Sequence, residues 1–256
     1  MAAAAPAPNS PKTSSKPPCP PVPRRGRCKR HCPAGACSPT LWSTTFQEAM
    51  PAWFDAHSLT DTTARQDLQV DGIRASVAHV CGIVEDEIAR LDGRADRLVL
   101  GGISQGGAVA LWSLLCRRHA AAQRLGAFVG LSTWLPFADE IRQVLGGTST
   151  RRDEVSPFGV FVTGMMEPLR DALHQPQSNS ESPFLRTPVF IGHGSDDAYV
   201  DVELGRQVTD ALLSIGLRVE WRDYVGADEE GHWLKRPEEL DDIHSFLARA
   251  AEQPCK

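Results

Sequence analysis

The chain carries, at positions 98–107, the sequence Leu98-Val99-Leu100-Gly101-Gly102-Ile103-Ser104-Gln105-Gly106-Gly107. Its first residues are typical of a buried strand, and the residues that follow Ser104 are typical of a helix. A G-x-S-x-G sequence between a strand and a helix places the serine on a sharp turn, where Gly102 and Gly106 reduce backbone crowding. We therefore predict that Ser104 is an activated nucleophile. The alternative is a tight glycine-rich turn without a chemical role.

Strand-like and helix-like segments alternate on both sides of this turn. Short apolar runs predict strands, and apolar residues at steps of three and four predict helices. The predicted strands cover residues 97–103, 127–131, 188–191 and 218–225, and the predicted helices cover 73–91, 105–118, 137–145, 201–215 and 237–250. This order predicts an α/β fold with a mostly parallel sheet flanked by helices.

Charge and proline are distributed unevenly along the 256 residues. Residues 1–39 contain ten prolines, seven of the 27 basic residues and none of the 32 acidic ones, so the remainder has a net charge of 20 − 32 = −12. We predict a disordered, proline-rich basic arm over 1–39 and one domain over 40–252. The arm has the charge to contact an anionic surface, which is its functional alternative.

Several function classes are excluded on composition. The spacing of Cys19, Cys28, Cys32 and Cys37 with His31 fits no established zinc pattern, so we predict no metal site. No apolar run approaches the ~20 residues of a membrane span, and seven cysteines imply no disulfide framework. We expect a cytoplasmic protein with no nucleic-acid partner and at most transient contact with a membrane surface. The oligomeric state is left open.

The region 146–186 is predicted as a long insertion or lid-like loop, because it exceeds the ordinary length of a connection. Its apolar part, Phe158 to Leu169, has the composition of a lid or of a contact for an acyl chain. An inserted loop with a small core of its own is the alternative.

A nucleophilic serine needs a histidine base and an acid that orients it, placed at later strand ends. After the third predicted strand come His193, Asp196 and Asp197, and after the fourth comes His232. We predict that His232 is the base and Asp197 the orienting acid. Asp196 remains the alternative acid, and the alternative bases are His193, which shares the turn of the acid, and His244, which lies in a helix. The backbone N–H of Gln105 is predicted to stabilise the oxyanion.

The chain resembles the acyl-protein thioesterases, within the phospholipase/carboxylesterase group of α/β-hydrolases. The resemblance covers about residues 41–250. Four segments carry it: Met50-Pro51-Ala52-Trp53-Phe54-Asp55 is similar to M-P-x-W-F-D, Gly101–Gly107 to G-G-x-S-Q-G-G, Leu131–Pro136 to L-S-x-W-L-P, and His193–Val200 to H-G-x-x-D-x-x-V. The last of these favours Asp197 over Asp196, and His232 falls at the position of the family's catalytic histidine.

The resemblance implies a serine hydrolase that cleaves thioesters or esters of acyl chains, with acylated proteins or lysophospholipids as substrates and no cofactor. Trp134 and Leu135 are predicted as substrate-binding residues, although Trp134 fits a core position equally well. The family's second oxyanion donor comes from an H-G-x-G loop after an early strand. The residues upstream of Met50 contain no His-Gly pair and no run fit to be that strand. A catalytically impaired relative that binds acyl chains or a protein partner is therefore the alternative function.

Overall fold

The computed structural model describes residues 39–41, 49–116, 123–145, 156, 158–174 and 182–252. The predicted arm lies outside these residues except for Pro39. The strands are β1 (Pro39–Leu41), β2 (Ala49–Pro51), β3 (Val99–Ile103), β4 (Ala127–Leu131), β5 (Pro188–Gly194) and β6 (Arg218–Tyr224). The helices are α1 (Gln69–Arg90), α2 (Ser104–Leu115), α3 (Ala138–Leu145), α4 (Gly159–His174), α5 (Val202–Ile215) and α6 (Glu238–Glu252), and short 3-10 turns cover Gln66–Leu68, Ala95–Arg97 and Pro183–Arg186.

The main sheet is parallel, with the strand order β3-β4-β5-β6. Val99 pairs with Ala127, Phe128 with Val189, and Pro188 with Arg218, so all four strands end at the same edge. The short strands β1 and β2 form a separate antiparallel pair. The α/β class that the sequence predicts is confirmed, since each crossover between neighbouring strands of the main sheet contains a helix.

The inner strand β5 is buried on both faces of the sheet, which explains its apolar character. All seven residues of β5 are buried. Because successive side chains of a strand point to opposite faces, Phe190 packs with Phe246 of α6, whereas Val189 and Ile191 join the larger core of the other face. The burial of each such side chain contributes about 1.5–3 kcal/mol. The sheet is therefore a fixed base for the loops at its carboxyl edge.

Helix α4 lies inside the region for which the sequence predicted a long insertion or lid-like loop. Its apolar residues Val162, Met166 and Leu169 recur at steps of four and three and are buried in the main core. Phe161 stacks on Trp112 of α2 with ring centroids 5.3 Å apart. The polar stretch after this helix lies largely outside the described residues. Within the part of the chain that the structure describes, no helix combines the length and hydropathy of a membrane span.

Candidate active site

Ser104 lies at the turn from β3 into α2, in a conformation that L-residues rarely adopt. Its φ is 52°, in the left-handed region, and such a residue costs about 1–3 kcal/mol. Gly102 makes the turn possible, because a Cβ there would lie 2.5 Å from the carbonyl oxygen of Gly106 and 2.7 Å from the nitrogen of Gly107. A Cβ on Gly106 would meet only Trp53 Nε1, at 3.8 Å. Of the two glycines in the motif, only Gly102 is therefore required for the turn itself.

The side chain of Gln105 fixes the segment that faces this turn. Gln105 is buried; its Oε1 accepts a hydrogen bond from the backbone nitrogen of Trp53 (2.9 Å), and its Nε2 donates to the carbonyl of Phe54 (2.8 Å). On the other side, Thr133 Oγ1 donates to the carbonyl of Ser104 at 2.8 Å. The backbone N–H of Gln105 is in the first turn of α2, where N–H groups have no partner within the helix. Hydrogen bonds thus hold the turn from both sides, and the backbone N–H of Gln105 is available to an anion.

Asp197 and His232 are brought together by the loops after β5 and β6. Nδ1 of His232 lies 2.8 Å from Oδ2 of Asp197. Because a carboxylate only accepts, Nδ1 carries the proton, and Nε2 is left with the lone pair that a general base needs. The Asp197 side chain is fully buried, and that of His232 is 15% exposed. This pair and Ser104 follow three strands of one parallel sheet, where open α/β sheets place their sites.

Backbone hydrogen bonds join the two loops that carry this pair. The nitrogen of Ala198 donates to the carbonyl of Glu230 (3.0 Å), and the nitrogen of Ser195 donates to the carbonyl of Tyr224 (2.7 Å). Asp196 also contributes, since its Oδ2 accepts from the nitrogen of Gly226 at 2.9 Å. Asp196, the alternative acid, therefore ties the loops together from an exposed position, while Asp197 contacts the histidine.

The charge of Asp197 is stabilised by four donors. Burial alone would raise its pKa, but hydrogen bonds from the side chains of His193 and His232 and from the nitrogens of Val200 and Tyr199 outweigh it and lower the pKa of Asp197 well below its usual range. The two backbone nitrogens bind Oδ1, at 2.9 and 2.8 Å respectively. The carboxylate is therefore ionised at any pH at which His232 can act as a base.

The remaining predicted residues lie in different environments. Trp134 and Leu135 are buried, and the Trp134 ring packs edge-on against Phe54 with centroids 6.1 Å apart. His244 lies on α6 and His193 lies within β5, whereas His232 is on the loop that reaches Asp197. Within the described residues, no cluster of three or more His, Cys, Asp or Glu side chains has the arrangement of a metal site.

The chain is similar in sequence to known proteins of one family. The profile of the phospholipase/carboxylesterase family matches residues 28–151. Acyl-protein thioesterase 1 of Gibberella zeae is 29% identical over 204 residues, which are 78% of this chain and 68% of that protein. Acyl-protein thioesterase 1 of Neurospora crassa is 30% identical over 200 residues, 77% of this chain and 64% of that protein. The chain is thus similar to the phospholipase/carboxylesterase family and to its acyl-protein thioesterases.

Solved structures agree with this similarity. Acyl-protein thioesterase 2 of Zea mays superposes with a TM-score of 0.54 at 27% identity, over 84% of this chain and 78% of that one. SOBER1 of Arabidopsis thaliana has the same fold, with a TM-score of 0.57 at 24% identity, over 84% and 80%. The α/β-hydrolase fold is thus confirmed. The chain spans about two thirds of the length of the curated relatives it matches.

Three residues near the site were not predicted in these roles. The ring of Tyr199 is 5.4 Å from that of His232, and Trp53 stands beside Gly106 with 43% of its surface exposed. His193 contacts Asp197, with its Nε2 3.4 Å from Oδ2. Trp53 is part of the M-P-x-W-F-D segment and His193 begins the H-G-x-x-D-x-x-V segment, so a sequence signal existed for both. Tyr199 falls on an unspecified position of the second segment and had no such signal.

Proposed function

We propose that this chain is a serine hydrolase that cleaves acyl thioesters or carboxylic esters through an acyl-enzyme, with Ser104, His232 and Asp197 as its triad. The observation that carries the proposal is the 2.8 Å contact between His232 Nδ1 and Asp197 Oδ2 at the sheet edge where the strained Ser104 turn also lies. Its similarity to acyl-protein thioesterases supports S-acylated proteins as substrates. Lysophospholipids are the second substrate class, and the cytoplasm remains the predicted location.

Each residue has one task in this reaction. Ser104 Oγ attacks the acyl carbonyl carbon while Nε2 of His232 takes its proton, and the N–H of Gln105 donates to the developing oxyanion. The imidazolium then protonates the departing thiolate or alkoxide, which leaves the acyl group on Ser104. A water molecule attacks the carbonyl carbon of this acyl-enzyme while His232 accepts its proton. The bond between Ser104 Oγ and the acyl carbon then breaks, the imidazolium returns the proton to Oγ, and the fatty acid is released. Asp197 stays ionised and stabilises the imidazolium in both steps.

Trp134 and Leu135 are proposed to form the inner wall of the acyl site. They directly follow Thr133, which holds the Ser104 carbonyl, and Trp134 packs against Phe54. An apolar wall at this place would favour long acyl chains through burial alone, at about 0.8 kcal/mol per CH₂ group.

Labelling with a fluorophosphonate tests the nucleophile directly. The probe is expected to modify wild-type protein at Ser104, as located by peptide mass spectrometry, and Ser104→Ala is expected to abolish labelling. Ser132→Ala is a matched control, because Ser132 also has a positive φ (43°) and also follows a strand, β4. A folded wild-type protein that the probe never modifies would refute the proposal.

A second candidate is a relative that binds an acyl chain or a protein partner without turnover. Two observations favour it: no His-Gly pair precedes Met50, and β3 pairs only with β4 among the described strands, with Val99 48% exposed. Loss of one oxyanion donor typically costs about 10²–10³ in rate. Hydrolysis of a medium-chain ester that disappears in His232→Ala would exclude this candidate.

A further inference from the structure

His193 occupies a closed site behind the catalytic pair. It lies in β5, and its residue surface is completely buried. Nε2 is 2.9 Å from the carbonyl oxygen of Val200 and 3.4 Å from Oδ2 of Asp197. A carbonyl and a carboxylate can only accept, so Nε2 of His193 carries a proton and donates towards both.

Neighbouring residues pack closely against the imidazole of His193. A Cβ on Gly205 of α5 would clash with Nδ1 of His193 and would lie 3.0 Å from ring atoms of Trp221. The rings of Trp221 and His193 are 6.2 Å apart between centroids. Nδ1 itself has no hydrogen-bond partner among the described residues. An unpaired buried nitrogen lowers stability, so an apolar residue would suit packing alone better than histidine does.

The bond to the Val200 carbonyl accounts for a donor at this place, and the contact with Asp197 gives that donor a second acceptor in the catalytic pair. We propose that His193 is a positioning residue. Its Nε2–H donates to the same Oδ2 of Asp197 that accepts from His232, and this contact fixes the plane of the carboxylate. Oδ1 is bound by the nitrogens of Tyr199 and Val200, so the carboxylate has donors at both oxygens. This inference rests on the proposed triad and adds a fourth side chain to it.

One more ionisable group lies in this part of the core. Glu239, at the start of α6, is 3% exposed, and its burial raises its pKa, while the hydrogen bond from the Lys235 nitrogen lowers it. That bond joins the Lys235 nitrogen to Oε2 of Glu239 at 2.9 Å. Of the ionisable groups in the described residues, Asp197 is the one within contact distance of His193.

A pair of substitutions separates the donor from the space it fills. His193→Met fills the pocket without a donor, and His193→Gln places an amide N–H as far along the side chain as Nε2. We expect kcat for a medium-chain ester to fall about tenfold in the methionine variant with KM nearly unchanged, and to recover to within about threefold of wild type in the glutamine variant. In proton NMR, the low-field signal of the His232 Nδ1–H bonded to Asp197 is expected to shift or broaden with Met and to return with Gln.

The NMR signal does not require turnover, so it separates this inference from the proposed function. An inactive wild-type protein with a signal that responds to Met and not to Gln would refute the hydrolase and keep the positioning role. A signal that is unchanged in His193→Met, or equally changed in both variants, would overturn the positioning role even if the enzyme is active.

Two glycines provide an independent test that leaves His193 in place. Gly205→Ala adds a methyl group against Nδ1 and is expected to lower kcat and shift the same signal. Gly82→Ala is the matched control, because Gly82 lies inside α1 with nothing within 4 Å of its Cβ position. Equal effects of the two substitutions on the signal would overturn the proposal.

Discussion

Asp197→Asn is the substitution that tests the triad most directly, because it changes one atom and keeps the shape of the side chain. In the native protein Oδ1 accepts from two backbone nitrogens and Oδ2 accepts from His232. The asparagine oxygen must stay with the two backbone donors, so its NH₂ group replaces Oδ2. A donor then faces Nδ1 of His232 at 2.8 Å, and the histidine must move its proton to Nε2 to relieve the conflict.

The expected loss follows from this change of tautomer. With a proton on Nε2, His232 cannot accept the proton of Ser104, and losses of about 10⁴ in kcat are typical, equivalent to about 5 kcal/mol. The assay is hydrolysis of a medium-chain thioester, with circular dichroism to show that both proteins are folded. Asp196→Asn is the control, since the exposed Asp196 binds only the Gly226 nitrogen, and its activity is expected to stay within about threefold of wild type.

Two results would contradict this reasoning. If Asp197→Asn keeps activity within about tenfold of wild type, the carboxylate does not set the tautomer. If Asp196→Asn loses as much as Asp197→Asn, the loss comes from the joined loops rather than from the histidine.

The remaining predictions concern the supports of the site. Gly102→Ala is expected to prevent formation of the Ser104 turn and abolish probe labelling, whereas Gly106→Ala is expected to be labelled, because only a Cβ on Gly102 would overlap the backbone. Equal labelling of both variants would refute this steric account. Gln105→Leu leaves the Trp53 nitrogen and the Phe54 carbonyl without their partner, so thermal unfolding should show a loss of about 1–3 kcal/mol, and an unchanged melting temperature would contradict it. Because the pKa of Asp197 is lowered by folding, its charge stabilises the fold at pH values above the unfolded-state pKa of about 3.9, and this contribution is lost as the pH falls towards the lower pKa of the folded state. The difference in unfolding free energy between wild type and Asp197→Asn should therefore be constant above about pH 5 and shrink below pH 4. Trp134→Phe is expected to change the preference for long over short acyl chains in kcat/KM, and a preference identical to that of wild type would leave Trp134 as a core residue only.

The sheet and its helices could be predicted because hydrophobic periodicity reports burial directly. Strand β4 has the predicted bounds, and the other three strands of the sheet agree within a few residues at their ends. Strand ends at one edge of a parallel sheet meet in space, which is why the order Ser104, Asp197, His232 predicted neighbouring loops. The contact between Asp197 and His232 follows that logic, although Asp196 was separated from Asp197 only by resemblance to a motif.

Other features could not be predicted because they depend on contacts between distant segments. Helix α4 has a clear apolar spacing at Val162, Met166 and Leu169, but the length of the region 146–186 suggested an insertion. Only the packing of the helix against Trp112 and Phe137 shows that it belongs to the main core. The side-chain bridge from Gln105 to Trp53 and Phe54 spans about fifty positions, so no local pattern contains it.

That bridge bears on the question of the second oxyanion donor. Gln105 draws the segment around Trp53 and Phe54 to the serine turn and uses the Trp53 nitrogen in doing so. This nitrogen is therefore already bonded and is a poor candidate for a second oxyanion donor, because its hydrogen bond to Gln105 Oε1 at 2.9 Å would have to be broken first. Gln105→Ala distinguishes the possibilities: release of the Trp53 nitrogen should lower stability without raising kcat if the donor lies elsewhere. A rise in kcat would show that this nitrogen can serve the oxyanion once it is released.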